Sequence, residues 1–223
     1  MFTDLVLPAG VYGTAFSGSN WNNGEKCGAC MEITGPNGVT IKAMVSQPPF
    51  PIIPPPIHHT NTPFIQCTPR EDFDLILREK KLLIIREKVV DQCPECDLGH
   101  LDIFADGFSQ LAPTPGIINT SYRFTTCDIS SPLVLHNKTG TSPYWFSIQV
   151  LNTSEPVANL EVSTDGGNTW LPTARQPYNF FENPAGFRTD RVMVKVTSET
   201  GKVVVVDGVG MDSDAKFTGP SNF

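Results

Sequence analysis

Apolar and polar positions alternate with a period of two along much of this chain, which predicts short β-strands separated by turns. Residues 5–16 read as strand cut into pieces by Pro8, Gly10 and Gly13, and residues 17–24 as a Gly/Asn/Ser loop carrying Trp21. Residues 30–34 and 39–44 flank Gly35-Pro36-Asn37-Gly38 and predict a hairpin. Val89-Val90-Asp91 reads as a strand end and Cys93-Pro94-Glu95-Cys96 as a braced turn. His100-Leu101-Asp102-Ile103-Phe104 alternates again and leads into a short helical pattern over 105–111. Residues 117–127 form the last strand region of this half, and residues 127–132 a linker. Beyond it Phe146, Ile148 and Val150 alternate with Trp145, Ser147 and Gln149. Leu160 and Val162 do so with Asn159, Glu161 and Ser163, and Val192, Val194 and Val196 with Met193, Lys195 and Thr197. Asp165-Gly166-Gly167-Asn168 predicts a hairpin turn, with the following Trp170 expected in the core. Strands at this spacing predict a β-sandwich.

One stretch breaks the pattern. Residues 46–69 hold Pro48, Pro49, Pro51, Pro54, Pro55, Pro56, Pro63 and Pro69, and residues 71–88 form a charged, Leu/Ile-rich run able to make an amphipathic helix. Removing residues 45–88 joins Thr40-Ile41-Lys42-Ala43-Met44 to Val89-Val90-Asp91-Gln92-Cys93 as one strand. Val-Ser can be encoded by a splice-donor sequence and Lys can end in an acceptor AG, so residues 45–88 read as an intron translated in frame. The alternative is a genuine surface insertion, which loops tolerate energetically.

Composition narrows the function classes. A chain of 223 residues with 39% hydrophobic content, 20 Pro and 18 Gly suits two small β domains or one large one. Its formal charge of -7 and pI near 5.0 argue against nucleic acid and against a polybasic membrane contact. No apolar run is long enough to span a bilayer. Asn119, Asn137 and Asn152 each begin an N-x-[ST] triplet, which suits a secreted glycoprotein. Met1-Phe2-Thr3-Asp4 holds no signal peptide, and the expectation is that the true N-terminus is missing.

Two clusters carry candidate chemistry. Cys27-x-x-Cys30 and Cys93-x-x-Cys96 fit either crosslinks or, with residues 45–88 removed, a zinc ribbon. The hairpin between the pairs, Cys127 and the sequons favour crosslinks in an oxidising compartment. Asp91 and Asp102 stand next to strand-formers on either side of the braced turn, a good place for a cleft.

Cys27-Gly28-Ala29-Cys30, Ile33-Thr34-Gly35-Pro36 and the stretch 89–104 resemble the first domain of the expansins, in particular the microbial expansin-like proteins. Tyr144-Trp145-Phe146-Ser147-Ile148-Gln149-Val150 resembles the start of their second domain. The resemblance implies an all-β chain: a six-stranded double-psi β-barrel over 1–129, interrupted at 45–88, then an immunoglobulin-like β-sandwich over 131–223 that binds carbohydrate. It implies disulfides among Cys27, Cys30, Cys93, Cys96 and Cys127, with one cysteine left without its partner, and gives Cys67 no counterpart. The family opens with a Gly-rich strand carrying a Thr and a cysteine, and its groove has an aromatic near the position of Cys93. Neither is found here. The family places the loop holding Trp21 near the sugar groove, although a tryptophan there can equally cover a barrel end.

His100-Leu101-Asp102 matches the family His-x-Asp motif, and Asp91 matches the acid on the preceding strand. The first domain is also similar to family-45 endoglucanases, in which that aspartate is the general acid. Inverting hydrolysis needs a second carboxylate acting as base on water. Expansins lack it, and neither Asp4 nor Glu25 is placed to supply it. No residue is therefore assigned as catalytic. Asp91 and Asp102 are expected to hydrogen-bond sugar hydroxyls in a relic groove, the alternative being that they cap turns. Tyr144, Trp145 and Tyr178 match the platform of the microbial proteins, with Lys138 flanking it, and flat sugar faces stack on such rings. Alternation sets Trp145 with Ser147 and Gln149, whereas Tyr144 needs a bulge or a strand start to join that face.

The resulting expectation is an extracellular monomer without cofactor or metal. It binds and loosens cellulose and other cell-wall glucans without cutting them. Its rivals are a family-45-like endoglucanase or lytic barrel enzyme, and a secreted barrel protein acting as inhibitor or stress-related effector.

Overall fold

β-Strands make up nearly all the regular structure in the computed structural model, which describes residues 11–44, 85–86, 88–93, 96–114 and 116–223. Seven strands and one helix build the first half: β1 (Tyr12–Ser17), β2 (Cys30–Thr34), β3 (Thr40–Met44), β4 (Ile85–Arg86), β5 (Lys88–Cys93), β6 (Leu101–Ile103), α1 (Ala105–Leu111) and β7 (Ser121–Thr125). They form one mixed sheet in the order β5-β1-β3-β2-β7, with β4 on β3 and β6 on β1. The β2–β3 hairpin turns at the expected Gly-Pro-Asn-Gly, pairing Thr34 with Thr40. The helix also falls where its pattern predicts. β1 organises this sheet: β5 runs parallel along one edge, while β3 and then antiparallel β6 occupy the other. Around it Phe16, Trp21, Met31, Ile33, Ile41 and Leu111 close a core.

The second half is a pair of facing sheets. One has the order β11-β10-β14-β15, from β10 (Val157–Ser163), β11 (Leu171–Pro172), β14 (Arg191–Ser198) and β15 (Val203–Gly210). The other has the order β12-β13-β9-β8-β16, from β8 (Val134–Asn137), β9 (Phe146–Leu151), β12 (Ala174–Arg175), β13 (Phe181–Asn183) and β16 (Lys216–Thr218). Leu135, Phe146, Ile148, Leu160, Val194 and Val196 meet between them with no solvent exposure. Burial of each such side chain contributes about 1.5–3 kcal/mol. The alternation read along residues 192–197 is the burial pattern of β14, apolar side inward.

Several expectations change. Trp170 is half-buried rather than in the core: it lies on the outer surface of its sheet, with Lys195 Nζ 4.6 Å from the ring centroid. β9 is buried on both faces, because Ser147 and Gln149, the polar positions, are covered as fully as Phe146 and Ile148. Asn137 is buried with its amide donating to the carbonyls of Gly210 and Asp212, so this sequon offers no nitrogen to a glycan. Asn152 likewise donates to Ser131 and to the Pro132 carbonyl, while Asn119 is exposed. Disulfides join Cys30 to Cys127 and Cys93 to Cys96, which separates the two Cys-x-x-Cys pairs and leaves no zinc ribbon to be built from them. Cys27 is buried beside the barrel core and belongs to neither bridge. Of residues 45–88, Ile85, Arg86 and Lys88 pair in the sheet; residues 45–84 and 87 lie outside the described residues, as do the expected helix and the Pro-rich run.

The Asp165 turn is held by its own side chain. Oδ1 accepts from Ser163 Oγ at 2.8 Å and from the Thr169 N–H at 2.9 Å, and Oδ2 accepts from Thr169 Oγ1 at 2.6 Å. These donors, Thr169 foremost, lower the Asp165 pKa from 3.8 to about 2. A carboxylate whose pKa drops on folding contributes stability that is present above its unfolded pKa and lost as pH falls through the folded one. Urea midpoints measured from about pH 5 down to about pH 2 should therefore fall less steeply for Asp165→Asn than for the parent chain.

Candidate functional site

The acidic row comes from strand register. Ala15 of β1 is the Cα partner of Asp91 on one side and of Asp102 on the other. Neighbouring strands lie about 4.8 Å apart, so the two aspartate Cα atoms stand roughly 10 Å from each other across a residue with almost no side chain. Asp102 is exposed, and its backbone carbonyl accepts from Thr14 Oγ1 at 3.0 Å. The Cys93–Cys96 disulfide packs on Ala15, and Ser17 Oγ donates to the Cys96 carbonyl at 2.9 Å, which fixes Cys96 against this row.

Trp145 and Tyr178 lie on the outer face of the β8–β9–β13 sheet, the face of Ser147 and Glu182. A tight turn with paired backbone groups between Ser142 and Trp145 puts Tyr144 at its tip, 69% exposed. Gly186, at φ +62, makes the turn possible: a Cβ there would lie 2.1 Å from the Pro143 carbonyl oxygen. Trp145 and Tyr178 are half-buried, and Lys138 Nζ sits between them, 5.6 Å from the Trp145 ring and 4.4 Å from the Tyr178 ring. Arg188 lies 5.8 Å from the Tyr144 ring. Beneath the rings is Glu182, which pairs across the sheet with Ser147. Its Oε1 accepts from Tyr178 Oη and from Ser147 Oγ, both at 2.9 Å, and lies 3.8 Å from Lys138 Nζ. Burial first, then the bond to Glu182 and its charge, raise the Tyr178 phenol to about 12.

The loop carrying Trp21 ties the two halves together. Trp21 is buried over the end of the first core, and its Nε1 donates to the Pro177 carbonyl at 2.7 Å. It is a cover and a dock rather than an exposed groove ring. Asn23 donates to the Arg175 carbonyl at 2.9 Å. The Arg175 guanidinium donates to the carbonyls of Gly24 and Val157 and to Asn179 Oδ1, and stacks 4.6 Å from the Phe181 ring. Lys26 pairs with Glu199 at 2.8 Å, and the Cys127 N–H reaches the Ser154 carbonyl at 3.0 Å. Tyr178 lies between Pro177 and Asn179, on the segment that touches the first half. Among the described residues no cluster of three or more His, Cys, Asp or Glu is disposed to hold a metal.

Glu182, Arg175 and Gly186 carry much of this arrangement and are not singled out by the sequence. Phe180-Phe181-Glu182-Asn183 gives no sign that its acid is covered, and Arg175 looks like any surface cation in a polar run.

The fold and the site define an all-β protein of two units, one with an acidic row on a mixed sheet and one with an aromatic face on a sandwich. No family model matches the chain. It is 32% identical over 117 residues to Expansin-YoaJ of Bacillus subtilis, covering 52% of this chain and 49% of that protein. It is 29% identical over 150 residues to Expansin-like protein 2 of Dictyostelium discoideum, covering 58% and 36%. The chain thus spans about half or less of the length of these curated relatives. Among solved structures, apo Clavibacter michiganensis expansin superposes with a TM-score of 0.68 at 25% identity, over 96% of this chain and 84% of that one. A mutant of that expansin, crystallised with cellohexaose, gives 0.65 at 22% identity, over 97% and 85%. The chain is expansin-like in sequence and in fold.

Two substitutions test the geometry. Gly186→Ala forces a Cβ into the Pro143–Tyr144 backbone and should cost about 1–3 kcal/mol. NMR should show Tyr144 signals moving while those of Phe146 and Ile148 stay in place. Arg175→Ala removes charged donors from carbonyls of both halves and should cost about 2 kcal/mol. Calorimetry should then resolve two unfolding transitions where the parent chain gives one.

Proposed function

We propose that this chain binds cell-wall polysaccharide, cellulose and related glucans, and loosens it without cutting. The observation that carries the proposal is the gathering of Trp145 and Tyr178 around Lys138 on one sheet face, with Tyr144 exposed at the adjoining turn. Pyranose rings present flat C–H surfaces that stack on such a face, and a lysine between the rings supplies a donor to sugar hydroxyls. The resemblance to expansins, and the shared fold with one crystallised with cellohexaose, support a β-glucan as the ligand. On this reading the barrel unit spans 1–129 and the binding sandwich 131–223. The protein works outside the cell as a monomer, and residues 45–88 are intron-derived, which a transcript lacking them would bear out.

Asp91 and Asp102 act here as hydrogen-bonding acids. The polymer is a ligand throughout: no bond is made or broken, and the groove and platform compete with its chain-to-chain contacts. The rival reading, a family-45-like hydrolase, is not favoured: it needs a base beside the Asp102 acid, and the relatives that the chain resembles are expansins.

The two readings separate in one set of assays. The parent chain should be retained on microcrystalline cellulose and release no reducing sugar from amorphous cellulose. Trp145→Ala and Tyr178→Ala should each weaken retention about tenfold, the loss expected for a stacked ring of about 1.4 kcal/mol. Soluble sugar that disappears with Asp102→Asn would favour the hydrolase. Retention untouched by both ring substitutions would falsify the platform.

A further inference from the structure

Glu182 is a carboxylate that the sandwich does not need. Its neighbours on β13 and β9 are Phe181, Asn183 and Ser147, none of them a charge that calls for an acid, and a valine at this position would suit the strand as well. It is 8% exposed, and an acid so covered is tolerated only when donors meet it. All of the donors found on it lead to the aromatic face or its base: Tyr178 Oη, Ser147 Oγ and, at 3.8 Å, Lys138 Nζ. Ser147 itself is fully buried and fixes the carboxylate from below.

We propose that Glu182 is a positioning residue of the glycan platform: its carboxylate accepts the hydrogen bond of the Tyr178 hydroxyl and draws in the Lys138 ammonium. This inference rests on the polysaccharide-binding reading above. Two consequences follow from the chemistry. With its proton committed to Glu182, the Tyr178 oxygen faces a ligand as an acceptor only, so the sugar hydroxyl it meets must be the donor. Lys138, held between the Trp145 and Tyr178 rings, is the complementary donor. The face thus presents one fixed acceptor beside one fixed donor between stacking surfaces, which discriminates by the orientation of equatorial hydroxyls on a glucan. Both groups are ordered before binding, so the ligand need not order them. The raised phenol pKa agrees with a carboxylate already in contact with that hydroxyl.

The test uses the full chain with Glu182→Val and Glu182→Gln, insoluble cellulose as the probe, and tyrosine labelled with 13C at Cζ. Glu182→Val should weaken cellulose affinity about fivefold at unchanged capacity, the loss expected when one ring and one lysine must be ordered on binding. Glu182→Gln keeps an acceptor oxygen but not the charge, and should fall between. In a Tyr178→Phe/Lys138→Met background, Glu182→Val should cost nothing further, since the residues through which it acts are already altered. The Tyr178 Cζ resonance, assigned with Tyr178→Phe, should move in both Glu182 variants, and its titration midpoint should fall from about 12 toward 10. Parent-like affinity in both variants overturns the proposal, as does a Tyr178 resonance that stays in place. If the parent chain is not retained on cellulose, the binding reading fails, and the resonance alone decides the positioning role. Should Glu182→Val not fold, the nearly isosteric Glu182→Gln carries the test.

Discussion

A guanidinium taken from water keeps its place only if protein acceptors meet its N–H groups, and Arg175 is the residue of which this is asked. Its partners are the carbonyls of Gly24 in the first half and Val157 in the second, together with the side chain of Asn179. Backbone carbonyls cannot retreat as side chains do, so the guanidinium fixes a loop of the first half and the start of β10 in the second to one plane of donors. Burial lowers the pKa of this group, but it stays charged across the range in which proteins are stable, which makes the link independent of pH there. Trp21 adds the apolar part of the same joint, with its ring in one core and its N–H on Pro177 of the other half. Tyr178, the next residue, takes its place relative to the acidic row from this contact.

The period-two pattern made the strands legible, and it did so best where one face is core and the other solvent. Residues 191–198 are such a case, and their alternation is their burial. It misled where both faces are covered. Ser147 and Gln149 look like the solvent side of β9, yet both are buried, Ser147 under the Glu182 carboxylate. Trp170 failed in the other sense. A large apolar ring beside Leu171 suggests core, but its aliphatic neighbour is exposed too, and a lysine packed on the ring supplies its cover.

The site was legible in part and for two different reasons. Asp91 and Asp102 stand out through a motif, yet their place on either side of Ala15 depends on β1 joining β5 and β6, which no local pattern contains. Tyr144 stands at the tip of the Ser142–Trp145 turn, which Gly186 makes possible, but Gly186 is far away in sequence and resembles any loop glycine. Glu182 and Arg175 were invisible because a single charge, whether after two phenylalanines or in a polar run, is ordinary in a strand or loop. Only tertiary structure reveals that these two are covered, and a covered charge demands partners in a way an exposed one does not.

That demand also bears on how a protein can loosen a polymer without breaking it. Stacked rings and single hydrogen bonds are each worth about 1 kcal/mol net in water, so a face with few of them binds reversibly and can move along a chain. Contact energy of this size would be lost if every ring and cation had first to be ordered, because fixing one long side chain costs about as much as one contact returns. A weak platform is therefore useful only when it is already rigid. Glu182 beneath the rings, Gly186 beneath Tyr144 and the Arg175 joint beside Tyr178 all act in that direction. They add no surface for a glucan to touch; they remove the freedom that would cancel what the exposed rings provide. In the proposed mechanism, selection for loosening acts on the residues under the face as much as on the face itself.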